Sequence, residues 1–342
     1  MKSDETIDPE LFAQRLCDWQ IEKGRKNLPW FTNDPYRRWL SEIMLQQTQV
    51  SVVIDYFERF LDAFPTVKAL GAAPQDAVMG QWAGLGYYSR ARNLHKAAKL
   101  VVQAGCFPQS SREWERLPGV GKSTAAALAS FCNNEVAAIC DGNVKRVLAR
   151  VFAVEEPVDK ASTVRFLQRE ADRLVSRKTP GVYNQAMMDL GATLCTRNAP
   201  QCSICPVSAY CRAFRLGRAE EFPKKSAVKP KKRAEVHALL CVECAPQGEC
   251  IWLVRRETVT KGMGHWKGLW SLPEVKSATG REIARFEHVM SHVTLDFVVH
   301  RAQRRELPEE AFSLPVEKIA QAPLPAPIKK LLSTLVFEAQ LF

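Results

Sequence analysis

Leu117-Pro118-Gly119-Val120-Gly121-Lys122-Ser123-Thr124 is the stretch on which the fold turns. Two glycines let the backbone turn tightly and aim successive amide N–H groups from a helix N-terminus, which is a phosphate site. Gly121-Lys122-Ser123 also resembles the end of a nucleotide-binding P-loop. That motif needs a glycine five residues before Gly121, where Arg116 stands, and a strand ahead of it. The preceding Ser111 to Arg116 is polar and reads as helix. The stretch is therefore a helix-hairpin-helix that grips a nucleic-acid phosphate through Gly119, Val120 and Gly121.

The surroundings agree with a polyanionic partner. Lys and Arg total 48 against 37 Asp and Glu, a formal charge of +11 over 342 residues. The length exceeds one compact domain, so a multidomain chain is expected. Met1 to Glu10 is polar and acidic, unlike a signal peptide. No apolar run approaches the roughly 20 residues that span a bilayer. A cytoplasmic, nucleoid-associated monomer is expected, and its 11 cysteines are thiols or metal ligands instead of disulfides.

From Glu10 to about Arg215 the pattern is helical. Val50, Val53, Ile54, Phe57, Phe60 and Leu61 share a helical face, with Thr48 as N-cap and Pro65 as stop. Composition changes near residue 217. Residues 217–234 form a basic linker carrying Lys224, Lys225, Lys229, Lys231, Lys232 and Arg233, expected to be extended and mobile. Beyond it, His237 to Val242 and Cys250 to Val254 read as two strands of a hairpin, Val293 to Val299 as a third strand and Ile328 to Glu338 as a closing helix. The fold class is an all-α domain over 1–216 followed by an α+β domain over 235–342.

Cys195, Cys202, Cys205 and Cys211 follow a C-x6-C-x2-C-x5-C spacing. Four thiolates in so short a stretch can surround one metal centre, either tetrahedral zinc or an iron–sulfur cubane. Cys241, Cys244 and Cys250 echo the spacing of the last three of these cysteines but have no fourth partner, and strand alternation points them to different faces.

Two carboxyls stand out. Glu42 lies in Trp39-Leu40-Ser41-Glu42-Ile43-Met44-Leu45-Gln46-Gln47, a mostly apolar helix. Burial there raises its pKa and suits it to general-acid work. Asp141 precedes a helix in Ile139-Cys140-Asp141-Gly142-Asn143, where an N-cap carboxylate is held ionised by the helix terminus. One neutral and one ionised carboxyl is the division of labour of glycosidic cleavage.

These segments together resemble the adenine DNA glycosylases of the MutY type, within the helix-hairpin-helix glycosylase superfamily. The carriers are Leu28-Pro29-Trp30, Ser41 to Thr48, Gly84-Leu85-Gly86-Tyr87-Tyr88, Leu117 to Thr124, Asp141-Gly142-Asn143-Val144, Asn184-Gln185-Ala186-Met187 and the four-cysteine loop. The resemblance implies a six-helix barrel over about 32–138 and a cluster part made of 1–31 and 139–216. It also implies a [4Fe–4S] cluster on the four cysteines. Double-stranded DNA containing A:8-oxoguanine or A:G mispairs is the implied partner. Glu42 would protonate adenine at N7, Asp141 would stabilise the oxocarbenium-like sugar, and Asn143 would orient that centre. Gln47 and Tyr87 would wedge into the base stack, while Trp30, Leu45 and Gln185 would line the adenine pocket. Related bifunctional enzymes carry a Schiff-base lysine where this chain has Ser123. Lys122 is adjacent but points about 100° away, so base removal without strand cleavage is expected.

Trp266 to Pro273 resembles the MutT-like, Nudix-fold domain of the same proteins. The Nudix hydrolase box is missing, because Arg281-Glu282 is not followed by paired glutamates. Without clustered carboxylates there is no magnesium site. The family reads 8-oxoguanine with a Phe-Ser-His turn. Here Met290-Ser291-His292 stands in that place, with Ser291 and His292 able to hydrogen-bond. Two rivals remain: an endonuclease III-like lyase for oxidised pyrimidines, opposed by Ser123 and the second domain, and a non-catalytic DNA-binding module, opposed by the Glu42 and Asp141 pair.

Overall fold

The computed structural model describes residues 7–227, 230–246, 248–256, 266–277, 280–290 and 293–339. In chain order the helices are α1 (Pro9–Lys23), α2 (Pro35–Leu45), α3 (Val50–Ala63), α4 (Val67–Ala72), α5 (Gln75–Trp82), α6 (Ser89–Ala104), α7 (Ser111–Trp114), α8 (Lys122–Asn133), α9 (Gly142–Val151), α10 (Ala161–Leu174), α11 (Pro180–Thr193), α12 (Arg212–Arg215) and α13 (Ala326–Ala339). The strands are β1 (Lys232–Leu240), β2 (Val242–Ala245), β3 (Gly248–Arg255), β4 (Trp270–Ser271), β5 (Glu274–Val275), β6 (Glu282–Val289), β7 (Val293–Arg301) and β8 (Phe312–Pro315). None of the helices among the described residues is long and apolar enough to cross a membrane.

Two compact units emerge, one of residues 1–47 and 100–228, the other of 48–99 and 229–342. In the first, local sequence writes the helix starts. Asp8 and Asp34 cap α1 and α2, each ahead of a proline in the first turn. Asp141 caps α9. The core gathers Phe12 and Leu16 of α1, Val147 and Leu148 of α9, Leu167 of α10 and Met187 and Leu190 of α11. The Ala-rich start of α8 is buried from Ala125 to Ser130. Its small side chains admit close neighbours: a methyl group on Gly181 of α11 would lie 2.9 Å from the Ser130 carbonyl oxygen.

The second unit begins with α3, which buries Val53, Phe57 and Phe60 along one face and stops at Pro65. Its N-cap is Gln49, without a side-chain cap. Thr48, expected to cap it, instead accepts a hydrogen bond from Arg90 Nη2 at 3.1 Å. The strands form two four-stranded sheets. One runs β5-β1-β7-β6; in the other, β3 carries β2, β4 and β8. The pairing of β1 with β7 is parallel, from Lys232 opposite Val293 to Leu240 opposite Arg301. The expected hairpin is therefore shifted. Its first arm is β2, with Ala245 opposite Gly248, while β1 belongs to the other sheet and the chain crosses over at Cys241. The closing helix is α13.

The basic linker departs from expectation in its first half. Phe222 is fully buried against Cys211 and Ala213. Arg218 pairs with Glu155 at 2.9 Å and Glu221 at 2.8 Å. Val158 N–H donates to the Lys224 carbonyl at 3.0 Å. The buried Phe222, the Arg218–Glu155 pair and the Val158–Lys224 hydrogen bond together dock residues 218–226 on the helical unit.

Candidate active site

Helix α2 buries Tyr36, Trp39, Leu40, Ile43 and Met44, which leaves Glu42 on the remaining face. Glu42 keeps some contact with solvent, yet the protein around it withholds most of its hydration. Burial pushes its carboxyl up to about 7; Arg38, one turn earlier, pulls it down, and the charge of Asp141 pushes it up. A carboxyl raised this far can hold a proton to give near neutral pH.

Asp141 stands at the N-cap of α9, where its Oδ1 accepts from Val144 N–H at 2.8 Å. Burial raises its pKa, opposed by the backbone amides of Val144 and Asn143 and by Arg146 and Lys145. The helix-terminus amides thus act on Asp141 as expected, against a larger opposing influence from desolvation.

Asn143 lies in the first turn of α9, and its Oδ1 accepts from Arg146 Nη2 at 2.8 Å. Arg146 also donates to the Gly191 carbonyl at 2.6 Å and, through Nε, to the Cys195 carbonyl at 2.8 Å. Gly191 is what lets α11 approach, since a methyl group there would sit 2.6 Å from Asn143 Cβ. Arg146 and Gly191 were not singled out from sequence; only the placement of Arg146 and Arg150 one turn apart on α9 hinted at a shared face.

The hairpin joins α7 to α8. Gly119 has φ +82°, a conformation that L side chains rarely adopt, and Gly121 is the N-cap of α8 with open space where a side chain would be. Val120 between them is buried. Gln46 Nε2 donates to Thr124 Oγ1 at 3.3 Å, joining the end of α2 to this turn. Ser123 Oγ accepts from Cys140 N–H at 3.1 Å and so lies beside the segment that delivers Asp141.

The expected adenine-pocket residues are placed as follows. Trp30 is buried, and Leu45 ends α2 half-buried. Gln185 of α11 donates through Nε2 to Asp189 Oδ1 at 2.9 Å, which fixes its amide orientation. Asp189 is fully buried and also accepts from Arg25 Nη2 at 2.6 Å, Arg25 N–H at 2.9 Å and Gln20 Nε2 at 3.1 Å.

Both expected wedge residues occupy left-handed backbone, Gln47 at φ 58° and Tyr87 at φ 47°. Gln47 is exposed and Tyr87 is 48% exposed. In the second unit Arg90 lies 5.5 Å from the Tyr87 ring and 5.3 Å from that of Trp82. Its Nη2 also donates to the Leu85 and Gly86 carbonyls at 3.2 and 3.1 Å. The turn between β6 and β7 closes with Met290 N–H donating to the Val293 carbonyl at 2.8 Å. Ser291 and His292 lie outside the described residues.

Cys195, Cys202, Cys205 and Cys211 line one small pocket with Val147, Arg150 and Leu190 among its walls. Among the described residues no group of three or more His, Cys, Asp or Glu is arranged to hold a metal ion. Arg150 supports a charged occupant. It is 1% exposed, and its Nη1 donates to Cys195 Sγ at 3.2 Å and to the Thr196 carbonyl at 2.7 Å. A buried guanidinium against a sulfur suits a thiolate. Cys241 and Cys250 are buried while Cys244 is exposed, consistent with three separate strand positions.

A helix-hairpin-helix with paired carboxyls defines a class, and residues 40–171 match the HhH-GPD superfamily of base excision DNA repair proteins. The helical part is similar to a thermostable thymine-DNA glycosylase at 25% identity and TM-score 0.55, covering 61% of this chain and 97% of that one. It also shares its fold with endonuclease III in a DNA complex, at 20% identity and TM-score 0.52 over 62% and 99% of the two chains. The adenine DNA glycosylase of Buchnera aphidicola (subsp. Baizongia pistaciae) is 34% identical over 83% of this chain and 84% of its own. The human adenine DNA glycosylase is 37% identical over 70% of this chain and 45% of its own. The chain belongs to the adenine DNA glycosylase family.

Proposed function

We propose that this chain is a monofunctional adenine DNA glycosylase, acting as a monomer on double-stranded DNA. It removes adenine mispaired with 8-oxoguanine or guanine by flipping the base and hydrolysing its N-glycosidic bond. The observation that carries this reading is that Glu42, its pKa raised by burial, lies within electrostatic reach of Asp141 on the N-cap of α9. A departing purine must leave neutral, and the sugar's positive charge needs an anion. Glu42 gives its proton to adenine N7, and Asp141 faces the anomeric carbon while Asn143, oriented by Arg146, helps to hold that centre.

Gln185 donates one N–H to Asp189, which leaves its amide oxygen available as an acceptor for the base. An acceptor there would suit the 6-amino group of adenine and disfavour the 6-oxo group that guanine carries in its place. Ser123 supplies no amine, so no Schiff base forms and the strand is left intact. Gly119, Val120 and Gly121 take a phosphate, while Gln47 and Tyr87 fill the stack vacated by the flipped base.

Cys195, Cys202, Cys205 and Cys211 would hold a [4Fe–4S] cluster, with Arg150 against Cys195. When bound, that group supplies structural cross-linking of residues 195–211 and no step of the hydrolysis. The α+β domain, 235–342, reads the base opposite adenine, with Ser291 and His292 as its hydrogen-bonding pair. Residues 217–234 connect it to the helical glycosylase domain, 1–216.

Single-turnover assays on duplexes bearing A:8-oxoguanine, A:G and thymine glycol test the reading. Adenine release from the first two without strand scission is expected. Glu42→Gln and Asp141→Asn should each lose about 10²-fold or more while keeping duplex affinity. Cleavage at thymine glycol, or near-parental rates in both variants, would overturn it.

A further inference from the structure

Arg38 stands one helical turn before Glu42 on α2, and the reaction described above gives it no part. Its guanidinium is held between two rings, 5.1 Å from that of Phe31 and 4.7 Å from that of Phe131 on α8. Its Nε donates to the Thr32 carbonyl at 3.0 Å. Three contacts from two segments, Phe31-Thr32 and α8, fix a long side chain that would otherwise roam in water. Such fixation costs side-chain entropy, and for an exposed surface arginine it would yield little. Here the fixed charge lies one turn before Glu42 on the same helix and acts on it electrostatically.

The titratable groups around Glu42 are few. Arg38 comes from its own helix, and Asp141 comes from the start of α9. Cys132 on α8 faces both Arg38 and Glu42, with Asp34 of the α2 cap behind it. Burial pushes the Cys132 thiol up to about 11, so it adds no charge at neutral pH. The charge that opposes the burial of Glu42 is Arg38, and it outweighs the repulsion from Asp141.

We propose that Arg38 is a positioning residue, a guanidinium clamped by Phe31, Phe131 and Thr32 so that its charge sets the pH range over which Glu42 can act as general acid. The inference rests on the general-acid reading of Glu42. The sign follows from electrostatics. A cation beside a carboxyl favours its ionised form, so it makes Glu42 a stronger acid that loses its proton at lower pH. Removing the cation has two opposite effects. The alkaline limb of the rate moves upward, because Glu42 stays protonated longer. The plateau falls, because a weaker acid donates less readily. A purely structural arginine would lower the plateau without moving the limb.

The test uses the full chain and Arg38→Gln, whose planar amide can keep the stack and the donor to Thr32. Arg38→Met is a second neutral variant in case the first folds poorly, and Arg38→Lys restores the charge. Two quantities are followed across about pH 5 to 9. One is the single-turnover release of adenine from an A:8-oxoguanine duplex. The other is the carboxyl ¹³C titration of Glu42 in glutamate-labelled protein, identified by its loss in Glu42→Gln. In a folded neutral variant the limb and the ¹³C midpoint should both rise by about one pH unit. The plateau should drop about threefold, and Arg38→Lys should return most of both. An unmoved ¹³C midpoint in a folded neutral variant overturns the proposal. A midpoint that moves while the rate limb stays put removes Glu42 as the general acid, and with it the claim that Arg38 tunes excision.

Discussion

Gly191→Ala is the most exacting perturbation of the catalytic end of α9. The added methyl would lie 2.6 Å from Asn143 Cβ, 3.2 Å from its Cγ and 3.3 Å from its Cα. The close atoms belong to backbone and to the base of a side chain, so no rotamer change relieves the clash. Ordinary carbon contacts need about 3.5–4.0 Å, so α9 and α11 must separate by roughly 1 Å at this point. Overpacking of this kind costs about 1–3 kcal/mol, and alanine returns about 1 kcal/mol of helix propensity over glycine. The net loss of stability is therefore small, about 0–2 kcal/mol. Activity should suffer far more, because Asp141 and Asn143 sit on the helix that moves, and a displacement near 1 Å can cost about 10²-fold in rate. Single-turnover adenine release at saturating enzyme, beside a thermal melt followed by circular dichroism, separates the two effects. A folded Gly191→Ala protein with a rate within about twofold of the parent would refute the claim that this contact sets the catalytic geometry.

Three more outcomes are expected. Cys202→Ser should lose iron, about four atoms per chain, and melt lower, whereas Cys241→Ser should keep both; metal analysis and a melt decide this. Asp189→Ala leaves the Arg25 guanidinium and the Gln20 and Gln185 amides without their shared acceptor. It should cost about 3 kcal/mol in denaturant unfolding, with weaker discrimination of adenine from guanine. Glu42 is held at about 7 in the folded chain against 4.5 unfolded. The native state binds the extra proton between those values, so this carboxyl's contribution to stability declines as pH rises through that window. Comparing the pH dependence of unfolding for the parent and Glu42→Gln should show the decline only in the parent.

Local physics made much of the molecule legible. Asp8, Asp34 and Asp141 stand before helices where capping chemistry puts them. Glu42 among apolar neighbours forecast its raised pKa. What remained hidden was carried by partners distant in the chain. Arg146 and Arg150 look like ordinary solvated cations until α9 packs against α11 and the cysteine loop. Arg38 shows its spacing from Glu42, but not the Phe131 ring that pins it. Thr48 had the chemistry of a cap, and Arg90 claimed its hydroxyl instead. The β2–β3 hairpin was foreseen with the wrong first arm, because a break between sheets at Cys241 leaves no mark on hydrophobic alternation. Phe222 anchored a stretch whose charge suggested a free tether.

The left-handed backbone at Gln47 and Tyr87 sets durability against usefulness at those two positions. A residue with a side chain pays roughly 1–2 kcal/mol for that conformation, and glycine does not. Glycine at either position would relax the loop and raise the melting temperature, and it would also delete the amide or the ring proposed to enter the base stack. Selection for thermal endurance alone should therefore drift toward glycine at residues 47 and 87 and yield a sturdier protein that no longer excises. On the proposed role, Gln and Tyr there concede stability to the act of opening DNA.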